Sequence, residues 1–335
     1  MKETELPRRP KLGFLGVGWI GRHRMQAIHS SGVAEVSMIH DPSPERITEA
    51  LKCVPGAKEA RSFQQMLNAG LDGIVIATPS ALHSEQAIRA LESGISVFSQ
   101  KPLGRKRNEV RAVVDAARAS DRLLGVDLSY RFTEAVTALR ERLQNNDIGQ
   151  VFMADLVFHN AYGPDKSWFY QPELSGGGCL IDLGVHLLDL ALWNLGFPNF
   201  TRVASQLYSG GRPLRHTHGK VEDYATATLE LESGASVQIS CSWNLPAGCD
   251  AMISATFYGT KGGLALRNVN GSFYDFIAER YQGTKREILV SPPDDWGGRA
   301  AVNWARQLSL RARFNEESEQ FVRVAEAMDA IYATQ

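Results

Sequence analysis

The stretch Leu12-Gly13-Phe14-Leu15-Gly16-Val17-Gly18-Trp19-Ile20-Gly21 decides the fold of this chain. Its apolar first part reads as a buried strand. Its second part spaces three glycines as G-x-G-x-x-G ahead of an amphipathic stretch, residues 20–30. A glycine turn between strand and helix leaves the first N–H groups of the helix free to hold an anion. Asp41 stands twenty residues beyond Gly21, at the end of a second strand-like run, residues 34–40. A carboxylate there meets the hydroxyls of an adenosine ribose, so turn, helix and acid together predict a dinucleotide site. Its candidate residues are Gly16, Gly18, Trp19, Ile20, Gly21 and Asp41. The turn alone would also serve a strand–helix corner that binds nothing.

Beyond this unit the alternation continues. Short Val/Ile-rich runs recur at 73–77, 95–99 and 123–126, with amphipathic stretches such as 81–93 and 105–119 between them. Apolar strands separated by helices imply a parallel sheet covered on both faces. After Tyr130 the pattern changes to a helix (133–145), a strand (151–159), a second helix (180–195), and then strands with little helix between them. These strands fall at 201–208, 223–232, 236–243, 252–258 and 263–269, and the last helix at 316–334. The expected fold class is therefore α/β: a Rossmann-type domain over 1–129, then an α/β domain over 130–335 with an open, mostly antiparallel sheet.

Bulk properties narrow the function. A chain of 335 residues suits two domains, and 44% hydrophobic with 22% charged residues is an ordinary globular composition. Lys and Arg number 36 against 37 Asp and Glu. That balance gives no general attraction to nucleic acid or an anionic membrane. No uninterrupted run of about 18 apolar residues occurs, and residues 1–11 are charged and contain proline. Cys53, Cys179, Cys241 and Cys249 lack C-x-x-C spacing, so neither a zinc site nor a disulfide framework is implied. A reduced, cytoplasmic protein without a nucleic-acid or membrane partner is the expectation.

Two more clusters carry candidate chemistry. Ala77-Thr78-Pro79 and Gln100-Lys101-Pro102 each end a strand, where ligands of open parallel sheets bind. Lys101 there could polarise a substrate oxygen; read alone, it serves equally as a solvated lysine. In Gly176-Gly177-Gly178-Cys179-Leu180-Ile181-Asp182-Leu183-Gly184-Val185-His186-Leu187-Leu188-Asp189, the residues Asp182, His186 and Asp189 fall on one helical face. A histidine with a carboxylate one turn away makes a proton-transfer unit, and equally a satisfied core histidine. His216 and His218 alternate in a polar loop and lack the supporting ligands of a metal site. Trp243, Tyr162 and Trp168 suit either sugar stacking or core packing.

These motifs, in this order, resemble the glucose–fructose oxidoreductase / inositol dehydrogenase (Gfo/Idh/MocA) family over nearly the whole chain. They are the strand-linked Gly16-x-Gly18-x-x-Gly21, Asp41, Thr78-Pro79-x-x-x-His83, Lys101-Pro102, and the glycine run into Asp182-x-Gly184-x-His186-x-x-Asp189. The resemblance implies hydride transfer between a nicotinamide and a carbinol carbon of a sugar or cyclitol. It makes Lys101, Asp182 and His186 the residues that bind and deprotonate the substrate hydroxyl, and adds Thr78, Pro79, His83, Gln100 and Lys101 to the cofactor set. Gln100 departs from the family's usual glutamate, which removes a negative charge near the nicotinamide. A peripheral loop before the last helix is also trimmed.

The expected function is an NAD-dependent oxidoreductase on a secondary alcohol of a sugar, sugar derivative or cyclitol. NADP is disfavoured because Asp41 repels a 2′-phosphate. Asp182 either orients His186 or grips a neighbouring hydroxyl. Rival expectations are a non-catalytic NAD- or sugar-sensing regulator on the same fold and an NAD-assisted glycosidase. Too few helices follow Tyr130 to cover both faces of the second sheet. A homodimer or homotetramer built on that domain is expected, with Val237, Ile239 and Cys241 or their opposite-facing neighbours in the interface.

Overall fold

The computed structural model describes residues 9–334; Met1 to Arg8 of the charged start lie outside the described residues. The chain forms two compact units, one from residues 9–104, 108–129 and 297–322, the other from 105–107, 130–296 and 323–334.

In the first unit, strands β1 (Lys11–Leu15), β2 (Glu35–His40), β3 (Lys58–Glu59), β4 (Gly73–Ile76), β5 (Ser96–Ser99) and β6 (Leu124–Val126) form one sheet. Its order is β3-β2-β1-β4-β5-β6 and every pairing is parallel. Helices α1 (Trp19–Ser31), α2 (Pro44–Cys53), α3 (Phe63–Leu67), α4 (Ser80–Glu92) and α5 (Arg107–Ala119) connect the strands. The strand order reverses between β1 and β4, where open α/β sheets bind ligands. Leu12, Phe14, Ile74, Ile76, Val97 and Phe98 are all but fully buried, as strands covered on both faces require.

The second unit opens with α6 (Glu134–Gln144) and β7 (Val151–Asn160). A short helix, α7 (Pro172–Ser175), then leads to a π-helical turn (Leu180–Gly184) that runs into α8 (Val185–Asn194). The remaining strands are β8 (Phe200–Ser209), β9 (Arg212–Pro213), β10 (Tyr224–Leu231), β11 (Ser236–Ser242), β12 (Ala251–Gly259), β13 (Gly262–Asn268), β14 (Phe276–Gln282) and β15 (Lys285–Val290). Their sheet runs β15-β14-β13-β12-β7-β11-β10-β8-β9, antiparallel except where β7 meets β11. The expected open, mostly antiparallel sheet is present, with β9, β14 and β15 beyond the strands read from sequence.

Two expectations are corrected. Dividing the chain at 129/130 assigned residues 297–322 to the second domain, but they belong to the first unit. The reason is packing by α9 (Arg299–Leu310), a helix that the sequence reading missed. A Cβ on Gly73 or Gly125 would lie 2.6 or 2.7 Å from the Trp304 ring, and Trp304 also meets Phe98 at 5.6 Å between ring centroids. Glycines inside strands mark such close approaches. The second correction concerns the large sheet. Val237, Ile239 and Cys241 are buried in the core with Leu180, Leu183 and Leu187. The opposite face of β11 and β10 carries Ser236, Gln238, Ser240, Thr226 and Thr228, a more polar surface than expected.

Pro172–Asn194 is long and apolar enough to cross a membrane by length and composition, with mean hydropathy 1.3. Most of that window (83%) is buried inside the protein, as a core segment is. The last helix, α10 (Glu319–Tyr332), places Val324, Met328 and Ile331 in the second unit's core, on the stripe read from sequence.

Candidate active site

The first unit gathers its candidate residues at the carboxyl edge of the parallel sheet, where β1, β2, β4 and β5 all end. The three glycines have three separate physical reasons. Gly16 has φ +88°, and a Cβ on it would lie 2.6 Å from the Ala77 carbonyl oxygen of the β4 turn. A Cβ on Gly21 would lie 2.2 Å from the Gly16 oxygen, so that glycine lets helix and turn pack. At Gly18 a Cβ would meet no protein atom within 4 Å. Nothing in the protein itself requires glycine there, whereas close approach of a pyrophosphate does.

Gly18 caps α1 with no side-chain hydrogen bond, and the first turn holds no acidic residue. Its N–H groups therefore remain available to an anion. Trp19, the first helical residue, is 60% exposed. Asp41 is buried, and its carboxylate braces the turn: Val17 N–H donates at 3.0 Å and Ser43 N–H at 2.9 Å. The Arg46 guanidinium lies 3.7 Å from the same carboxylate. These residues fit a dinucleotide held by α1 and a ribose held by Asp41.

Thr78 and Pro79 follow β4, and Pro79 opens α4 without a side-chain cap. The Thr78 hydroxyl donates to Gln86 Oε1 at 2.6 Å. His83, read from sequence as a cofactor residue, is instead buried with both ring nitrogens committed. One lies 2.7 Å from the Pro102 carbonyl oxygen and the other 2.7 Å from that of Thr78. It fastens the Lys101-Pro102 turn to the Thr78 turn. Burial lowers its pKa from the ordinary 6.5, against the two carbonyls, which favour the charged ring. Lys101 itself is half-buried and precedes a cis peptide to Pro102.

Gln100 brings no charge of its own where the family usually has glutamate. The Gln100 amide, however, donates to the buried Asp127, which also takes the Arg24 guanidinium at 2.6 Å. Neither Asp127 nor Arg24 was singled out from sequence. An acid directly after β6 and an arginine on the inner side of α1 were the available signals.

In the second unit the three polar groups of the 180–194 segment do three different things. Trp243 is buried, and its indole N–H donates to Asp182 Oδ2 at 3.1 Å, so this tryptophan is core with a working polar end. The His186 ring sits edge-on to Tyr130, 4.9 Å between centroids. Asp189 is not a proton-transfer partner of His186, because Arg131 grips both its oxygens, one contact measuring 2.8 Å. Burial pushes the Tyr130 hydroxyl far up its range, with Tyr274 and Asp182 adding to the effect, so it stays neutral. Trp168 stacks on Phe169 at 3.8 Å, while Tyr162 is exposed and donates to Asp250.

The glycine run serves close packing. A Cβ on Gly178 would lie 1.8 Å from the Glu222 carbonyl oxygen, and one on Gly177 would lie 2.0 Å from the Tyr332 hydroxyl. The buried Glu222 carboxylate accepts from Gly178 N–H (2.9 Å), Leu180 N–H (3.0 Å) and Tyr332 hydroxyl (2.8 Å). It thus caps the turn that carries Asp182. Burial raises its pKa, opposed by those donors. Sequence reasoning missed Glu222 because its partners lie 40 and more residues away. The π-helical geometry at Asp182 is of a kind that recurs at functional sites. Among the described residues no group of three or more His, Cys, Asp and Glu side chains gathers as a metal would need.

Comparison with known proteins places this geometry. The profile described as oxidoreductase family, NAD-binding Rossmann fold, matches residues 11–128, and the GFO/IDH/MocA C-terminal domain matches 136–265. A protein of Amycolatopsis mediterranei (strain S699), provisionally assigned as an oxidoreductase subunit of UDP-kanosamine synthase, is 30% identical over 95% of this chain and 92% of its own length. D-glucoside 3-dehydrogenase of Escherichia coli (strain K12) is 30% identical over 58% of each chain. Among solved structures, levoglucosan dehydrogenase in complex with NADH and levoglucosan superposes with a TM-score of 0.83, at 21% identity, over 98% of this chain and 97% of that one. The chain belongs to the GFO/IDH/MocA family and is an NAD(P)-dependent dehydrogenase with an NAD-binding Rossmann fold.

Proposed function

We propose that this enzyme oxidises a secondary alcohol of a sugar, sugar derivative or cyclitol with NAD. When bound, the nicotinamide supplies the hydride acceptor. His186 takes the hydroxyl proton, since imidazole titrates near neutrality and suits general-base work. Lys101, at the carboxyl edge of the parallel sheet, is a hydrogen-bond donor suited to stabilising charge that develops on a substrate oxygen. Asp182, fixed by the Trp243 indole, orients His186 or holds a neighbouring hydroxyl.

The observation that carries this reading is the polar start of the Leu180–Asn194 segment, every residue of which from Val185 to Leu192 is buried. Polar groups there cost free energy unless paired or used. Arg131 takes up Asp189, while the Trp243 indole holds Asp182 and the Tyr130 ring lies edge-on to His186, so both are fixed in orientation for chemistry. The names of the relatives, a glucoside dehydrogenase and a levoglucosan dehydrogenase, support a carbohydrate substrate.

The test is a screen of sugars, uronic acids and inositols for NADH formation, repeated with His186→Ala. That variant should lose about two to four orders of magnitude in kcat and keep its NADH affinity. Most activity surviving per folded molecule would overturn the assignment. A homodimer or homotetramer on the outward face of the large sheet belongs to the same proposal, supported by exposed Met252, Tyr258 and Ile288. Light scattering that returned the single-chain mass of 36.9 kDa would remove it.

A further inference from the structure

Asp127 follows β6 directly and is 1% exposed. A single oxygen, Oδ2, accepts both from Arg24 Nε and from Gln100 Nε2. Its other oxygen, Oδ1, is buried with no hydrogen-bond partner among the described residues. Arg24 lies on α1, the helix that opens at the glycine turn, and is itself 5% exposed, with His23 Nδ1 3.0 Å from its guanidinium. Gln100, 7% exposed, is the residue before Lys101.

A buried carboxylate that crowds two donors onto one oxygen and orphans the other is a poor device for stability, since well-packed apolar groups do as well. What it does provide is geometry. One atom ties three segments together: α1, the end of β5 and the end of β6. The backbone agrees, because Gln100 N–H donates to Ile76 oxygen at 2.8 Å and Asp127 N–H to Ser99 oxygen at 2.9 Å. On the far side of Lys101, His83 holds the Pro102 carbonyl. Lys101 is thus flanked by two buried clasps, one through Gln100 and one through Pro102.

We infer that Asp127 is a positioning residue for Lys101: it locks the strand end that carries the lysine to the helix that carries the glycine turn. The inference rests on the oxidoreductase reading for the role of Lys101. It predicts that amide and carboxylate can be exchanged across the hydrogen bond. Asp127→Asn alone leaves Arg24 a buried cation without its partner. Gln100→Glu alone sets two carboxylates against one another. Together they restore one amide, one carboxylate and one guanidinium.

The experiment measures kcat, KM for the alcohol, NADH Kd and Tm on the four proteins of this cycle. Asp127→Asn should lower kcat at least about tenfold and raise NADH Kd about fivefold, with KM for the alcohol within about threefold. The double variant should recover kcat and Kd to within about threefold of the parent, far from the product of the single effects. If Asp127→Asn does not fold, Gln100→Met keeps the Arg24 pair and should still lower kcat about fivefold with little change in Tm. A Tm loss in Asp127→Asn with kcat and Kd unchanged per folded molecule would reduce the residue to a structural role and overturn the inference. So would additive losses in the double variant. If the parent binds NADH but oxidises no alcohol, the proposed secondary-alcohol reaction and the role of Lys101 in it fall. The coupling is then judged on NADH Kd alone, where recovery supports it and additivity overturns it.

Discussion

Replacing Gly18 with alanine separates what the glycine turn does for the fold from what it does for the ligand. The backbone at Gly18 (φ −59°, ψ −174°) is open to any L-residue, and the new Cβ would meet no protein atom within 4 Å. Removing a glycine from the unfolded chain stabilises by about 0.4–1 kcal/mol. Gly18 is also the N-cap of α1, where alanine is worse than glycine by roughly 0.5 kcal/mol. The two nearly cancel, so Tm should move by less than about 2 °C. Binding should not cancel. A hydrogen bond from backbone N–H to a charged group is worth about 1.5–3 kcal/mol, and a methyl group at the approach forfeits it. NADH Kd should therefore rise about 10- to 150-fold. Gly21→Ala is the contrast: its Cβ would sit 2.2 Å from a backbone oxygen. Overpacking of that kind costs about 3 kcal/mol, or roughly 6–12 °C in Tm for a unit of this size. Thermal melts and NADH fluorescence titrations on the same preparations read both effects. Gly18→Ala that bound NADH within about threefold of the parent would refute the reasoning.

Three further outcomes are expected. The buried Asp41 carboxylate should favour NAD over NADP by at least about tenfold in kcat/KM, despite Arg46 nearby, and parity between the cofactors would contradict it. His83 has a folded pKa below 6.5 because burial disfavours the charged ring, so the unfolded chain takes the proton first as pH falls. Its contribution is full above pH 6.5 and is lost below it, so Tm should fall as the medium is acidified through pH 6.5. His83→Asn should flatten that slope, although His159, also lowered by burial, keeps part of it. Asp189→Asn breaks a buried pair with Arg131 at a cost of about 3–5 kcal/mol, or at least about 6 °C in Tm. Its kcat per folded molecule should stay within about threefold, and a collapse of turnover without loss of stability would return Asp189 to the chemistry.

The legible part of this protein was its local pattern. G-x-G-x-x-G behind an apolar run, and apolar strands alternating with amphipathic stretches, are statements about neighbours in sequence, and they sufficed for the parallel sheet and its ligand edge. Alternation in Tyr224–Leu231 likewise predicted a two-faced strand. The partner of each polar group was not legible. Asp182, His186 and Asp189 look alike on a helical wheel, yet an indole, a tyrosine ring and a guanidinium take them apart. The glycine run 176–178 marks a close approach, and only the structure shows that Glu222 and Tyr332 are what press in there.

By itself the sequence determined the fold class, the place of the dinucleotide turn and which residue types stand ready for proton transfer, because hydrophobic period and turn chemistry act over a few residues. Only the tertiary structure decided that α9 returns to the first unit, that His83 and Gln100 brace Lys101 from either side, and that a carboxylate beside Gln100 comes from Asp127. Those choices depend on which distant side chain fills a buried polar group's remaining valence, such as Arg24 reaching Asp127 across 103 residues of chain. Burial makes that pairing obligatory, and packing selects the partner.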